Sequence, residues 1–366
     1  MTRDSLSNRD WLSVVARLGG AMQLAATAGE SKAFLRARVI ANPTDLLRLI
    51  LADCLGERGL RATAAWASAA GLADISNVAL LQRLRRCGTW FSLLIGQALS
   101  ASAPDASRGR LIRIIDATAV PQAGPAASRG NQLWRIHSAF DLPAERFGCF
   151  ELTDQRGGER LHRIAVVKGE IRLADRAYAH AERIAPVLQA GADVVVRTGW
   201  RSATWLDRHG KPFNLIKALR KADRRGWIDQ PIWLGRKSAP PLQMRLVAVK
   251  KPQAAAGAAR RKARRDAQRE RYQISTATLR AAGWVMLLTS LKKTAFTSTE
   301  VLSLYRLRWR IELGFQRLKS VIGLNGPPGS DERSARPWIL AHLLLILLLE
   351  PLIDELEDSP RWEVAA

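Results

Sequence analysis

The run RLIRIIDATAV at 110–120 constrains this chain most, because it is apolar and β-rich yet holds a carboxylate, Asp116, inside it. Desolvating such an acid is expensive unless a cation or hydrogen-bond donors meet it. Two similar runs follow after polar gaps, LWRIHSAFDL (133–142) and RFGCFELTD (146–154), which predicts a meander. ERLHRIAVV (159–167) then reads as a helix. EIRLADRAYAH (170–180) reads as a buried strand closed by Asp175 and breaking into a turn and a helix, and GADVVVRTG (191–199) reads as another strand. Strands in succession, then strands alternating with helices, predict a mixed α/β domain with helices covering the sheet.

The flanks differ in character. Residues 1–105 show apolar positions at three- and four-residue steps and predict a helical N-terminal domain, ending in the linker-like SASAPDASRGR (100–110). Within it, LRATAAWASAAGLADISNVALLQRLRRCG (60–88) has the outline of a helix-turn-helix, with Arg83, Arg85 and Arg86 late on its second helix. An ordinary helical hairpin with solvated arginines fits the same pattern. Residues 106–200 form the first part of the α/β core. Residues 201–290 predict a mainly β insertion, with strand-like MRLVAVKK (244–251) and WVMLLTS (284–290) around a basic helix at 258–273. Residues 291–366 complete the core with helices.

Lys and Arg total 57 against 33 acids, a formal charge of +24, which favours a polyanionic partner through counterion release. Charge alone does not separate DNA from RNA or an acidic membrane surface. Cys54, Cys87 and Cys149 lie far apart without metal-binding spacing and read as reduced thiols of a cytoplasmic protein. The opening MTRDSLSNRD has no apolar leader, and ILAHLLLILLLE (339–350) is too short to span a bilayer and reads as a core helix.

The segment YRLRWRIELGFQRLKS (305–320) places one acid among basic residues. At about 100° per residue, Leu304, Leu307, Ile311, Phe315 and Leu318 make one apolar stripe. Beside it, Tyr305, Arg308, Glu312 and Lys319 share a window of roughly 60°. An exposed Arg308–Glu312 pair is worth only ~0.3–0.5 kcal/mol. It accounts for two charges, not for the row.

Tyr305-x2-Arg308-x3-Glu312-x6-Lys319 resembles the Tyr-Arg-Glu-Lys signature of bacterial DDE transposases of the insertion sequence four family. IIDAT (114–118) resembles that family's first-aspartate strand and LADRAY (173–178) its second-aspartate motif, with Ala177 where a glycine is usual. The likeness covers about residues 110–350. It implies a ribonuclease-H-like catalytic core with a β insertion, and cleavage and strand transfer at the terminal inverted repeats of an insertion sequence. It also implies Asp116, Asp175 and Glu312 as catalytic metal ligands, with Asp116 bridging two Mg²⁺ ions for which Mn²⁺ substitutes. Two such ions about 3.5–4 Å apart serve the attacking and leaving oxygens of phosphoryl transfer, and hard cations take carboxylate oxygens. Tyr305, Arg308 and Lys319 would hold phosphates of double-stranded DNA, and Arg176 and Tyr178 would brace the site or touch DNA. Two-ended chemistry implies a homodimer in the synaptic complex, acting on nucleoid DNA in a bacterial cytoplasm. His137 has two readings, a neighbour of Asp116 or a satisfied core histidine, and the second is preferred. Trp227, Trp233 and Trp284 are base-stacking candidates, Trp284 being better placed for core. The competing readings are a related nuclease without strand transfer and a non-catalytic or decayed transposase-like DNA-binding protein.

Overall fold

The computed structural model describes residues 8–357 apart from 57–58, 102–108, 122–132, 143, 145, 155, 321, 325 and 330. The centre of the expected linker, the gap between the first two strands and the chain's first seven residues therefore lie outside the described residues. Six helices come first: α1 (Asn8–Arg17), α2 (Gly20–Glu30), α3 (Pro43–Gly56), α4 (Gly59–Ala69), α5 (Asn77–Arg86) and α6 (Gly88–Ala101). Then follow β1 (Ile112–Pro121), β2 (Leu133–Leu142), β3 (Arg146–Thr153), β4 (Ile171–Ala174), a short 3₁₀ turn (Arg176–Tyr178), α7 (Ala181–Gln189) and β5 (Asp193–Arg197). The next stretch holds β6 (Trp205–Leu206), α8 (Leu215–Lys221), β7 (Trp227–Leu234), β8 (Leu242–Lys250), α9 (Gln253–Arg269), α10 (Thr276–Ala282) and β9 (Trp284–Thr289). Three helices close the chain: α11 (Ser298–Arg306), α12 (Trp309–Ser320) and α13 (Glu332–Glu357).

The nine strands of the described residues form one mixed sheet in the order β3-β2-β1-β4-β5-β9-β8-β7-β6. β1, β4 and β5 run parallel at its centre, and the other pairings are antiparallel. Alternate residues serve two cores, as the two-residue period of a strand requires. Ile114, Ile136, Leu173, Val195 and Leu287 join one core, and Ile115, Ala174, Val194, Val196 and Leu288 join the other. Burial on both faces explains why these strands read as continuous apolar runs.

Residues 201–290 are less separate than the expected β insertion. β9 pairs directly with β5, so β6–β9 extend the central sheet, and three helices lie between their strands. The N-terminal helices are not separate in packing either. Leu46, Leu49, Trp90 and Phe91 share one apolar core with Leu343, Leu344 and Ile346 of α13 and with one face of the sheet. α13 is the buried core helix expected of the 339–350 run, and no helix among the described residues is long and apolar enough to cross a membrane. Cys54 and Cys87 are buried free thiols and Cys149 is half-buried. α4 and α5 are the two helices of the helix-turn-helix outline, with Ser76 capping α5 by accepting from the Ala79 N–H. Two of its three arginines are engaged within the protein: Arg85 pairs with Asp331 at 2.6 Å and Arg83 lies over the Phe34 ring.

The expected helix at 159–167 does not form; the segment is a run of turns and bends. The cause is Arg172 on β4, whose side chain is wholly buried. Its guanidinium donates to the carbonyls of Leu161, Ile164 (3.0 Å) and Ala165 (2.6 Å), and pairs with Glu170 at 2.5 Å. A helix would turn those carbonyls along its own axis, away from the charge that needs them. Arg172→Met leaves Glu170 and three carbonyls without that donor. It is expected to lower unfolding free energy by about 3–5 kcal/mol, read from urea-unfolding midpoints.

Candidate active site

Asp116 and Asp175 are brought together by the parallel pairing of β1 and β4. Ile115 is opposite Ala174, so each aspartate is the next residue on adjacent strands. Asp116 Oδ1 accepts from the Ala117 N–H at 2.8 Å, and Asp175 Oδ1 accepts from the Ala177 N–H at 2.7 Å, capping the 3₁₀ turn. The crevice beyond the carboxyl ends of parallel strands is the usual place for a site in such a sheet.

α12 supplies the third acid. It lies close on the sheet because Gly314 has no side chain: a Cβ there would stand 2.8 Å from Phe147 Cζ and 3.4 Å from Phe140 Cε2. Ile311, Phe315 and Leu318 are buried, as the predicted stripe requires. The single helix predicted through 304–319 is, however, broken. α11 ends at Arg306, and the Arg308 N–H donates to the Tyr305 carbonyl at 3.1 Å, a tighter turn than an α-helix makes. From this break Arg308 reaches two ways. Its guanidinium lies 3.6 Å from Asp116 Oδ2 and hydrogen-bonds Glu312. Arg308 is largely buried, whereas the Glu312 side chain is 59% exposed.

Asp116 thus stands beside Asp175 and shares Arg308 with Glu312, without the three forming a ready ligand set. Among the described residues no three acidic, histidine or cysteine side chains lie close enough to hold a metal ion. The cation between Asp116 and Glu312 is Arg308 itself. The donor chemistry still fits a hard divalent cation, since all three candidates offer carboxylate oxygens.

The other expected residues divide. The Tyr305 hydroxyl is buried beside Arg308 without a well-aligned hydrogen bond, and burial raises its pKa above the usual phenol range against the pull of Arg308. Lys319 is exposed in the last turn of α12. Arg176 is exposed beside Asp175. Tyr178 is the exception: at 1% exposure its ring is packed in the core and offers no face to DNA. His137 is a satisfied core histidine, with Nε2 3.0 Å from Thr153 Oγ1 and a pKa pushed down to about 4 by burial. Sequence reasoning passed over Arg197, which closes β5 beside the second aspartate's strand. Its signal was available, a charge ending the apolar run DVVVR.

Burial raises the Asp116 pKa from 3.8 to about 6, with Asp175 adding to the rise and the Ala117 N–H and Arg308 opposing it. The folded value exceeds the unfolded one. The folded state therefore holds the extra proton in that window and loses stability as pH rises through it. In metal-free protein, Asp116→Asn is expected to be more stable than the parent by about 2–3 kcal/mol near pH 8, the two converging below about pH 4. Urea midpoints at both pH values check this.

Residues 107–348 match a family model described as "Transposase DDE domain". The chain is 35% identical over 361 residues to the InsL protein of insertion sequence element IS186A from Escherichia coli (strain K12), covering 97% of this chain and 96% of that one. It is also 35% identical over 362 residues to the transposase for insertion sequence element IS421 of Escherichia coli, with the same coverage of 97% and 96%.

Proposed function

The chain belongs to the transposase DDE domain family, and from that membership we propose a bacterial insertion-sequence transposase that cuts and joins DNA at its element's terminal inverted repeats. What supports the catalytic reading is that β1–β4 pairing sets Asp175 beside Asp116 while one guanidinium, Arg308, spans Asp116 and Glu312. In this reading β3-β2-β1-β4-β5 is the ribonuclease-H-like core, and the Tyr-Arg-Glu-Lys row marks the insertion sequence four family.

The three carboxylates would hold two Mg²⁺ ions, which, when bound, supply an activated oxygen nucleophile and neutralise the leaving oxygen. Asp116 and Asp175 present fixed oxygens because the backbone N–H groups of Ala117 and Ala177 orient them. Glu312 is held by Arg308 and is exposed, so it is free to turn inward once Arg308 takes a different anion. A DNA phosphate is such an anion, and it would also satisfy the buried Tyr305 hydroxyl. Lys319 would place a neighbouring phosphate, fixing register without reading sequence. Double-stranded DNA is the substrate, and a homodimer holds the two ends during synapsis in the cytoplasm.

Incubation with Mg²⁺, an end-bearing fragment and a supercoiled target is expected to yield joined products. Asp116→Asn should abolish cleavage while end binding stays nearly unchanged; end binding with no cutting by the parent in Mg²⁺ or Mn²⁺ overturns the catalytic reading. Lys319→Ala should weaken end binding and reduce the slope of log affinity against log salt by about 0.9, the loss of one phosphate contact. An unchanged slope removes Lys319 from those contacts.

A further inference from the structure

A cavity of about 350 Å³ opens where the N-terminal helices meet α13. Its walls come from α3, α4, α5, the segment 327–329 and the start of α13, and none of the residues assigned above to catalysis lines it. Leu60, Leu81, Leu84 and Trp338 make much of the lining apolar. One acid stands among them. Asp53 of α3 is only 7% exposed, and among the described residues no cation meets it. Its support within the fold is thin. The Thr63 hydroxyl has one proton and two acceptors in reach, Asp53 Oδ1 at 3.0 Å and the Gly59 carbonyl at 3.1 Å. Asp53 Oδ2 has no donor among the described residues. Burial raises the Asp53 pKa, and the Thr63 hydrogen bond opposes the rise.

An acid without a cation is out of character in a chain with a formal charge of +24. Arg85 lines the same cavity, but its guanidinium is taken by Asp331 at 2.6 Å. His342 stacks on Trp338 with ring centroids 3.8 Å apart, and its Nδ1 lies 2.8 Å from the Trp338 carbonyl oxygen. Burial pushes the His342 pKa down to about 4, so this ring brings no charge at neutral pH. With Arg85 and Asp331 cancelling, Asp53 is the one uncompensated charge of the lining. A carboxylate so placed is costly until a partner reaches it. Apolar walls with one fixed polar group, at this volume, are the usual construction of a small-molecule site.

We propose that this cavity binds a small organic cation, an ammonium on a one-ring or short alkyl body, with the ammonium on Asp53 and the body against Leu81, Leu84 and Trp338. Asp53 repels an anion, and the apolar walls offer a bare metal ion too few oxygens. A ligand held there ties the N-terminal helices to α13. The site shares no residue with Asp116, Asp175 or Glu312, so it stands or falls apart from the transposase reading.

Isothermal titration calorimetry of the full chain tests it, with 2-phenylethylammonium, 2-phenylethanol and 3-phenylpropionate as probes of one shape and three charges. The ammonium is expected to bind roughly tenfold more tightly than the alcohol, and the carboxylate not at all. The chain's net positive charge works against that order, so a preference for the cation has to come from a local acid. Asp53→Asn keeps an oxygen for Thr63 and removes the buried charge, so it is expected to fold and to bind ammonium and alcohol equally. Leu81→Trp, which fills the cavity and leaves the acid in place, should weaken both. Asp74→Asn, an exposed acid outside the cavity, should change neither. Saturating ammonium should raise the thermal midpoint of the parent and not that of Asp53→Asn. Equal binding of ammonium and alcohol by the parent overturns the site and marks Asp53 as a protonated group satisfied by Thr63. Binding of none of the three probes overturns it too. An ammonium preference that survives in folded Asp53→Asn, or is untouched by Leu81→Trp, places the ligand elsewhere and refutes the cavity.

Discussion

The pairing of β1 with β4 is pinned by buried charge, and the site depends on that register. Arg113 on β1 lies 2.7 Å from Asp141 on β2 and 3.4 Å from Glu170, which in turn holds Arg172 on β4 at 2.5 Å. Gly148 leaves room for this group, since a Cβ there would stand 2.2 Å from Asp141 Oδ2. Such buried pairs add little net stability over apolar packing, yet breaking one strands a charge in the interior. Their effect here is therefore on register more than on depth of folding. A slip of one residue would exchange the two faces of β1, sending Asp116 into the core that Ile115 fills and Ile115 toward α12. With the register held, the two aspartates stand side by side, Asp116 within β1 and Asp175 just past the end of β4.

Much of this was legible in the chain because burial on both faces leaves a plain mark. β1, β4, β5, β8 and β9 are apolar runs with few interruptions, and the acids at 116 and 175 stand out because they interrupt or end such runs. The failures share a physical origin, a distant partner overriding local preference. Residues 159–167 carry a helical pattern, but the guanidinium of Arg172 on the neighbouring strand takes their carbonyls. Leu307 and Arg308 are good helix formers, and the break there coincides with an arginine that reaches to Asp116. The continuity of the sheet into β6–β9 rests on β5 pairing with β9, a contact between segments far apart in the chain. Tyr178 lies two residues after an exposed arginine, and its burial follows from the 3₁₀ turn that directs it into the second core.

The site is also where the structure is least at ease. Asp116 has a backbone donor and a guanidinium near it, yet its pKa still settles at about 6. One shared arginine at 3.6 Å does not offset burial beside a second carboxylate. Positions that hold charge at the expense of stability mark function more often than architecture. The contrast with Asp229 is instructive. That carboxylate is also nearly enclosed, but Arg245 holds it at 2.7 Å with Ser298 and Lys293 nearby, and its pKa falls to about 2. The fold can neutralise a buried acid fully where it has the cations to do so, and at Asp116 it does not.

That incomplete neutralisation sets how ligands at the edge affect one another. Arg308 serves Asp116 and Glu312 together, so any anion that draws it away leaves two carboxylates unpaired at once. If the carboxylates hold a divalent cation as proposed, it would gain most at that moment, because it would meet oxygens with no competing guanidinium. In the proposed reading the exchange would run in reverse as well: carboxylates engaged by a divalent cation would leave Arg308 available to phosphate. Coupling between two ligands is reciprocal in free energy, so in this reading whatever factor DNA lent to metal affinity, metal would return to DNA. A transposase built this way would be held inactive by its own arginine when either partner is missing, with no separate inhibitory domain needed.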